Sequence, residues 1–256
     1  MYKIDCSISI NIKNAPKQKE LLEKIDKKYC IFNEDIVVIT GIYEEKKRIN
    51  DVYRYILSVN NNKFKLIPSY IKFQSISIGK FKDIPISYRD INKKTILIVI
   101  ESPHKEEYTK QFEVIAPAQG KTGKKIEKFL CKILENNSIK LEDEEYNIVI
   151  CNPVQFQASL YYLHKETLKE TPSKSIRDKI WTAIFEKEEQ NFKKRLLLYN
   201  PYLTINACTA KLKNKISESI QDCLNNSLYI ANTHPCMWSE STILSSPKLE
   251  PINTVS

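Results

Sequence analysis

The sequence predicts an α/β fold, a parallel sheet with helices on both faces, and three observations carry that expectation. The run Thr95-Ile96-Leu97-Ile98-Val99-Ile100 is built of β-branched residues and leucine without alternation, as in a strand buried on both faces. Three further strand-like runs, at 147–151, 203–208 and 228–231, are separated from it and from one another by stretches of helical periodicity. Three of the four runs end in polar side chains: Glu101 with His104, Asn152, and His234. Ligands of open α/β sheets bind outside the carboxyl ends of the strands, so these side chains mark the expected site.

Composition narrows the class. The chain has 256 residues, 28% of them charged, enough for one large domain or two modest ones around a real core. No aliphatic run approaches the roughly 20 residues of a membrane span. Met1-Tyr2-Lys3-Ile4-Asp5 alternates instead of opening an apolar signal core, so no membrane association or secretory signal is expected. Seven scattered cysteines without a C-x-x-C pair argue against a disulfide framework, a compact zinc site and an iron–sulfur cluster, and favour a cytoplasmic location. No metal and no cofactor are expected. The net charge of +9 suits a polyanionic partner held through phosphate contacts, although lysine-rich surfaces also arise without one.

Along the chain, Tyr2, Ile4, Cys6, Ile8, Ile10 and Ile12 alternate with polar residues, the period of a half-buried strand. Leu21, Leu22, Ile25 and Tyr29 repeat at helical spacing, and residues 36–40 read as a short strand closed by Gly41. Ile49, Val52, Tyr53, Ile56 and Leu57 suggest a helix over 48–58, followed by short strand-like pieces broken by Pro68, Gly79 and Pro85. Residues 1–92 therefore predict a separate small α+β region of unknown role, and 93–256 the main domain. Lys63, Lys65, Lys72, Lys80 and Lys82 interleave with Phe64, Tyr70, Phe73 and Phe81; a sheet with aromatics inward and lysines in solvent accounts for this better than a base-stacking surface.

Beyond the first buried run lies Ala116-Pro117-Ala118-Gln119-Gly120-Lys121-Thr122-Gly123, a loop opening a helix that carries Ile126, Phe129, Leu130, Ile133 and Leu134 on one face. It is not a P-loop, because Ile115 stands where that motif needs glycine. A long helix is expected from Ser175, with Ser175 and Asp178 as a capping box and Ile176, Ile180, Trp181, Ile184 and Phe185 as its buried stripe. His164, within Leu160-Tyr161-Tyr162-Leu163-His164, reads as structural. A last helix follows 203–208, through Leu212, Ile216, Ile220 and Leu224, and the prolines and serines after Trp238 suggest a loose end.

The order strand-E-S-P-H, P-A-Q-G-K-T-G plus helix, strand-N-P-V, strand-A-C-T-A-K plus helix and strand-T-H-P, over roughly residues 93–240, resembles the uracil-DNA glycosylase superfamily. The most similar branch reads strand-G-E-A-P-G, P-F-V-G-x-A-G plus helix, strand-N, L-G-x-x-A and H-P. The resemblance implies a three-layer α/β/α fold with a four-stranded parallel sheet, and a glycosylase acting on DNA. It places Glu101 at the catalytic acid, Asn152 at the residue reading the base edge, and His234 at the histidine facing the leaving base. Cys236-Met237-Trp238-Ser239 stands at the loop that wedges into the duplex.

This chain departs from that pattern. Ile100 and His104 replace the two glycines of the first motif, and Ala118-Gln119 replaces the phenylalanine that stacks on the flipped base. Ser102, His104 and Gln119 thus become candidate base contacts, and the implied target is a damaged or modified base other than uracil, such as a phage-modified one, in repair or in defence. Extraction of the nucleotide costs a few kcal/mol. A carboxylate such as Glu101 suits the oxocarbenium-like sugar and its attacking water, and a donor such as His234 suits the departing base anion. Lys105, Lys121 and Lys124 are candidate phosphate contacts, and Met237 and Trp238 candidate wedges. Each residue taken alone also fits a structural role: a cap or ion pair for Glu101 and His104, a turn for Asn152-Pro153, core packing for His234 and Trp238. The alternatives to an enzyme on DNA are a catalytically inactive reader of nucleic acid or modified bases with the same fold, and a hydrolase of small nucleosides.

Overall fold

The computed structural model describes residues 3–23, 30–73, 83–137, 139–158, 172–224, 227–244 and 250–251. The chain opens with β1 (Lys3–Asn11), α1 (Pro16–Glu23), β2 (Cys30–Asn33) and β3 (Ile36–Glu44), whose strands form an antiparallel sheet in the order β1-β3-β2. Period two in β1 puts Ile4, Cys6 and Ile10 on the buried face. β3 runs through Gly41 to Glu44 instead of closing at it.

The next segment corrects the sequence expectation. Residues predicted as a helix over 48–58 form β4 (Val52–Asn60), which turns through Asn61 and Asn62 into β5 (Lys63–Pro68). Both turn residues have positive φ (49° and 58°), which asparagine tolerates and a two-residue hairpin requires. β4 is an interior strand buried on both faces, so its apolar residues lose the alternation that identifies a strand, and helix-like spacing arises by chance. On β5, Lys63 and Lys65 are exposed while Phe64 packs on the core, the structural arrangement expected there; Lys80, Phe81 and Lys82 lie outside the described residues.

β6 (Ile84–Pro85) pairs with β4, and β7 (Thr95–Val99) is buried at every position. Then come α2 (Lys121–Asn136), β8 (Glu145–Cys151), α3 (Pro172–Tyr199), β9 (Leu203–Asn206), α4 (Ala210–Gln221), β10 (Leu228–Ala231), α5 (Glu240–Leu244) and the two-residue β11 (Glu250–Pro251). The protein is a mixed α/β structure with one large sheet in the order β11-β10-β9-β7-β8-β4-β5. β10, β9, β7 and β8 pair in parallel, and β4 and β5 extend the sheet antiparallel. The boundary expected at residue 92 therefore cuts through this sheet: β4 to β6 belong to it, and only β1 to β3 form a sheet of their own.

The strand period sorts the core. Leu97, Val99, Val149 and Cys151 pack with α3, α4 and the inward face of β1, whereas Ile96, Ile98, Ile148 and Ile150 pack with Ile126, Phe129 and Leu130 of α2. α3 starts at Pro172, three residues before the expected cap Ser175. Proline suits a first helical turn, and Asp178 is engaged by Arg177 instead of closing a capping box. Trp181 stacks on Phe185 (4.9 Å between centroids, 10°) inside the stripe expected for this helix.

A buried polar network joins α3 to the end of β8. Asp51, directly before β4, accepts from the Tyr199 hydroxyl (2.7 Å) and pairs with Arg195 through the same oxygen. Its other oxygen accepts from the Asn152 N–H (3.3 Å) and the Gln155 amide (3.2 Å). Arg195 also donates to the Asn152 and Pro153 carbonyls (3.0 and 3.2 Å). Arg195→Ala leaves Asp51 buried and uncompensated, so a loss of roughly 3–5 kcal/mol of stability is expected. Urea unfolding of the variant checks it, and a loss below 1 kcal/mol contradicts it.

Candidate functional site

Strand register brings the expected residues to one edge. β7 and β8 pair Val99 with Cys151, so Glu101 and Asn152 leave the sheet side by side. β9 and β10 pair Asn206 with Ala231, so the turns after them, at Cys208-Thr209 and Asn232-Thr233-His234, emerge at the same end. The charge of Glu101 reaches the thiols of Cys208 and Cys236, and those of Arg177, His104 and Lys213 reach His234. Glu101, His104, Arg177, Lys213, His234 and Cys236 thus form one electrostatic cluster.

Glu101 is 5% exposed. Its Oε1 pairs with Arg177 Nη1 (3.0 Å), while Oε2 is buried with no protein partner among the described residues. The Trp181 indole N–H donates to the Glu101 carbonyl (3.0 Å), so the backbone under the carboxylate is tied to α3. Asn152 is fully buried, its peptide N–H and carbonyl are held by Asp51 and Arg195, and neither side-chain amide atom has a protein partner among the described residues. Its amide therefore keeps a donor and an acceptor that no protein group among the described residues takes up, as the Gln157 amide also does.

His234 stands before a short turn, Pro235–Met237, and its Nδ1 accepts from the Cys236 N–H (3.3 Å) with Cys236 Sγ at 3.1 Å. An accepting Nδ1 puts the proton of the neutral ring on Nε2, which becomes a donor. Burial, then the nearby positive charges of Arg177, His104 and Lys213, push its pKa down to about 4. The imidazole is therefore neutral throughout the physiological range.

The remaining expected residues divide. Ser102 lies half-buried beside Glu101, and the His104 side chain is 60% exposed, with burial holding its imidazole below the ordinary pKa of 6.5. Lys105, Lys121 and Lys124 are exposed around this edge, Lys121 near enough to Cys236 to act on its thiol. Met237 is exposed (61%), as a wedge requires. Trp238 is corrected: it is 1% exposed, packs with α2, and donates its indole N–H to the Thr233 carbonyl (2.8 Å), while Lys125 caps its carbonyl (2.7 Å). It anchors the turn that presents Met237. Gln119 is corrected too, since its amide donates to Asp83 (2.8 Å) as part of a scaffold instead of standing free beside a ligand.

That scaffold was not expected. Glu107 is buried, and its carboxyl accepts from the Ala118 N–H (2.7 Å) and the His104 N–H (3.2 Å), bridging the two loops that flank the site. Arg54 sits at a bulge of β4, pairs with Asp83 (2.6 Å) and donates to the Pro117 and Ala118 carbonyls. Ala118 is held at φ 56°, and its carbonyl approaches α2 so closely that a Cβ on Gly123 would lie 1.9 Å from it. Arg177 was missed as well, and so were Asp51 and Arg195. Their only sequence signals are charge within apolar stretches, which does not name a partner.

Among the described residues no group of three or more His, Cys, Asp or Glu is arranged to hold a metal ion, and no helix is long and apolar enough to cross a membrane. The seven cysteines are free, and His164 lies outside the described residues. No protein-family model, curated protein or solved structure matches the chain.

Two outcomes are expected. Because the folded-state pKa of His234 lies below its ordinary 6.5, the unfolded chain binds the extra proton. Stability attributable to this group is complete above pH 6.5 and falls as the pH drops toward 4, by up to about 3 kcal/mol. His234→Gln should flatten that slope in urea midpoints measured across pH; an unchanged slope assigns it elsewhere. Burial raises the Glu107 pKa to about 8, so its contribution runs the other way and is lost as the pH rises from 4.5 through 8. Glu107→Gln keeps an acceptor and loses this pH dependence, whereas Glu107→Ala strands two N–H groups at a cost of roughly 2–4 kcal/mol. Thermal melts at pH 6 and 9 distinguish the two variants, and equal melting temperatures for them oppose the bridging role.

Proposed function

We propose that the protein is a DNA glycosylase, a hydrolase that cleaves the N-glycosidic bond of a damaged or modified base flipped into the edge formed by Glu101, Asn152 and His234. The observation that carries this reading is a fixed carboxylate after one parallel strand and, at the same end of the sheet, a neutral imidazole whose Nε2 is a donor. N-glycoside cleavage makes the sugar positive while the base departs with the bonding electrons. Glu101 Oε2 stabilises the positive sugar and takes a proton from the attacking water, and general-base help of this kind is worth roughly 10²–10⁴. His234 Nε2–H donates to a carbonyl oxygen of the leaving base, with an effect of about 10²–10³. A neutral donor meets this need without first trapping a proton. The Asn152 amide offers both a donor and an acceptor to the base edge.

The similarity to the uracil-DNA glycosylase superfamily supports this reading through motif order, together with parallel strands that carry Glu101, Asn152 and His234 at their carboxyl ends. The departures at Ile100, His104 and Ala118-Gln119 favour a base other than uracil. One observation favours a second reading, a reader that binds without cleaving: Arg177 already occupies one oxygen of Glu101.

The two readings separate on DNAs carrying uracil, deaminated purines or bulky modified pyrimidines. For a glycosylase, wild type leaves alkali-sensitive abasic sites on one of them, and Glu101→Gln slows release by about 10²–10⁴. Tight binding to one DNA with no base release, unchanged in Glu101→Gln, establishes the reader instead.

A further inference from the structure

A groove of about 580 Å³ lies between β1 and the amino-terminal parts of α3 and α4. Its lining joins three hydroxyl residues, Ser7, Ser9 and Thr182, to two lysines, Lys179 and Lys211. Ser7 and Ser9 occupy the polar positions of β1 and are exposed, since the alternation that buries Cys6 and Ile10 turns them outward. Lys179 and Lys211 are exposed and have no carboxylate partner among the described residues. The groove also holds two acids, and each has a cation beside it: Asp178 has Arg177, which it shares with Glu101, and Glu186 has Lys215 (3.0 Å). Counted with these partners and with Glu101, which shares Arg177, four cations stand against three acids, so the cleft carries a net charge of +1 beside its hydroxyls.

The groove leads to the site in two steps. Asp178 in its wall binds Arg177, and Arg177 binds Glu101. Lys211, in the first turn of α4, is two residues from Lys213, whose ammonium donates to the Asn232 carbonyl and acts on His234. We infer that this groove is the track for the phosphodiester backbone of the strand whose nucleotide reaches Glu101, and that the amino-terminal sheet serves to form its outer wall. Lysines and hydroxyls are the groups that hold phosphate oxygens without reading sequence. The inference rests on the proposed function for the location of the reacting nucleotide; the charge and lining of the groove do not depend on it.

The test is fluorescence anisotropy of the full chain with labelled single-stranded and duplex oligonucleotides of ordinary bases, titrated at several salt concentrations. Lys179→Glu with Lys211→Glu is compared with Lys63→Glu with Lys65→Glu, which removes the same charge from exposed positions on β5. The groove pair should weaken binding by on the order of tenfold or more and reduce the salt slope by about 1.4 to 1.8, the value for two lost phosphate contacts. The β5 pair should leave the slope near that of wild type. Equal loss in both pairs means a general charge effect and overturns the groove assignment, as does an unchanged slope in the groove pair or no binding by wild type. Groove-dependent binding without base release from any modified DNA would retain the track and remove the glycosylase.

Discussion

The arrangement of the site depends on one buried ion pair. Asp51 and Arg195 meet where β4 begins and β8 ends, and between them they hold the peptide groups of Asn152 and the Pro153 carbonyl. Burying two charges is expensive, and a hydrophobic replacement often supports stability as well or better. What an apolar pair cannot do is satisfy the N–H and carbonyl groups of a chain leaving the sheet at a buried point. Here the charges are used for that purpose, and Tyr199 and Gln155 supply the remaining hydrogen bonds. The antiparallel extension of the sheet by β4 is thus part of the site's support.

The opposite side of the edge is held in a similar way. Glu107 and Arg54 grip the loop before α2 from both polarities, the carboxyl taking an N–H and the guanidinium giving to carbonyls. Ala118 is kept in a left-handed conformation that a residue with a Cβ adopts only when its surroundings require it. Close packing of this loop on α2 needs the absence of a side chain at Gly123. Rigid loops on both sides leave the adjustable parts of the edge to side chains: Arg177 on Glu101, the imidazole of His234 and the thioether of Met237.

Electrostatics link these parts. Arg177, Lys213 and His104 surround a histidine that they help keep neutral, and Glu101 is the carboxylate among them. Cations that face the imidazole suit a ligand that becomes negative as it reacts, and a departing base anion meets that description.

The sequence alone marked the four runs that become strands and the polar residues at their ends, because a strand buried on both faces shows as an unbroken apolar run and its end as a sudden polar one. That they sit in a larger mixed sheet and not a four-stranded one was decided by the tertiary structure. The sequence also singled out Met237, which the structure leaves exposed three residues after His234. It misread β4 as a helix, since interior burial erased the alternation, and it placed a domain boundary where the sheet is continuous. Trp238 and Gln119 looked like ligand contacts for a related reason: a residue type states what a side chain is able to do, and only packing decides whether a core or a carboxylate reaches it first. Arg177, Asp51, Arg195, Glu107 and Arg54 were invisible as a group because the partners that shape the site lie far along the chain, from 11 residues for Ala118 with Glu107 to 148 for Tyr199 with Asp51. Long-range ion pairs form when the sheet brings strand ends together, and that meeting is a property of the tertiary structure alone.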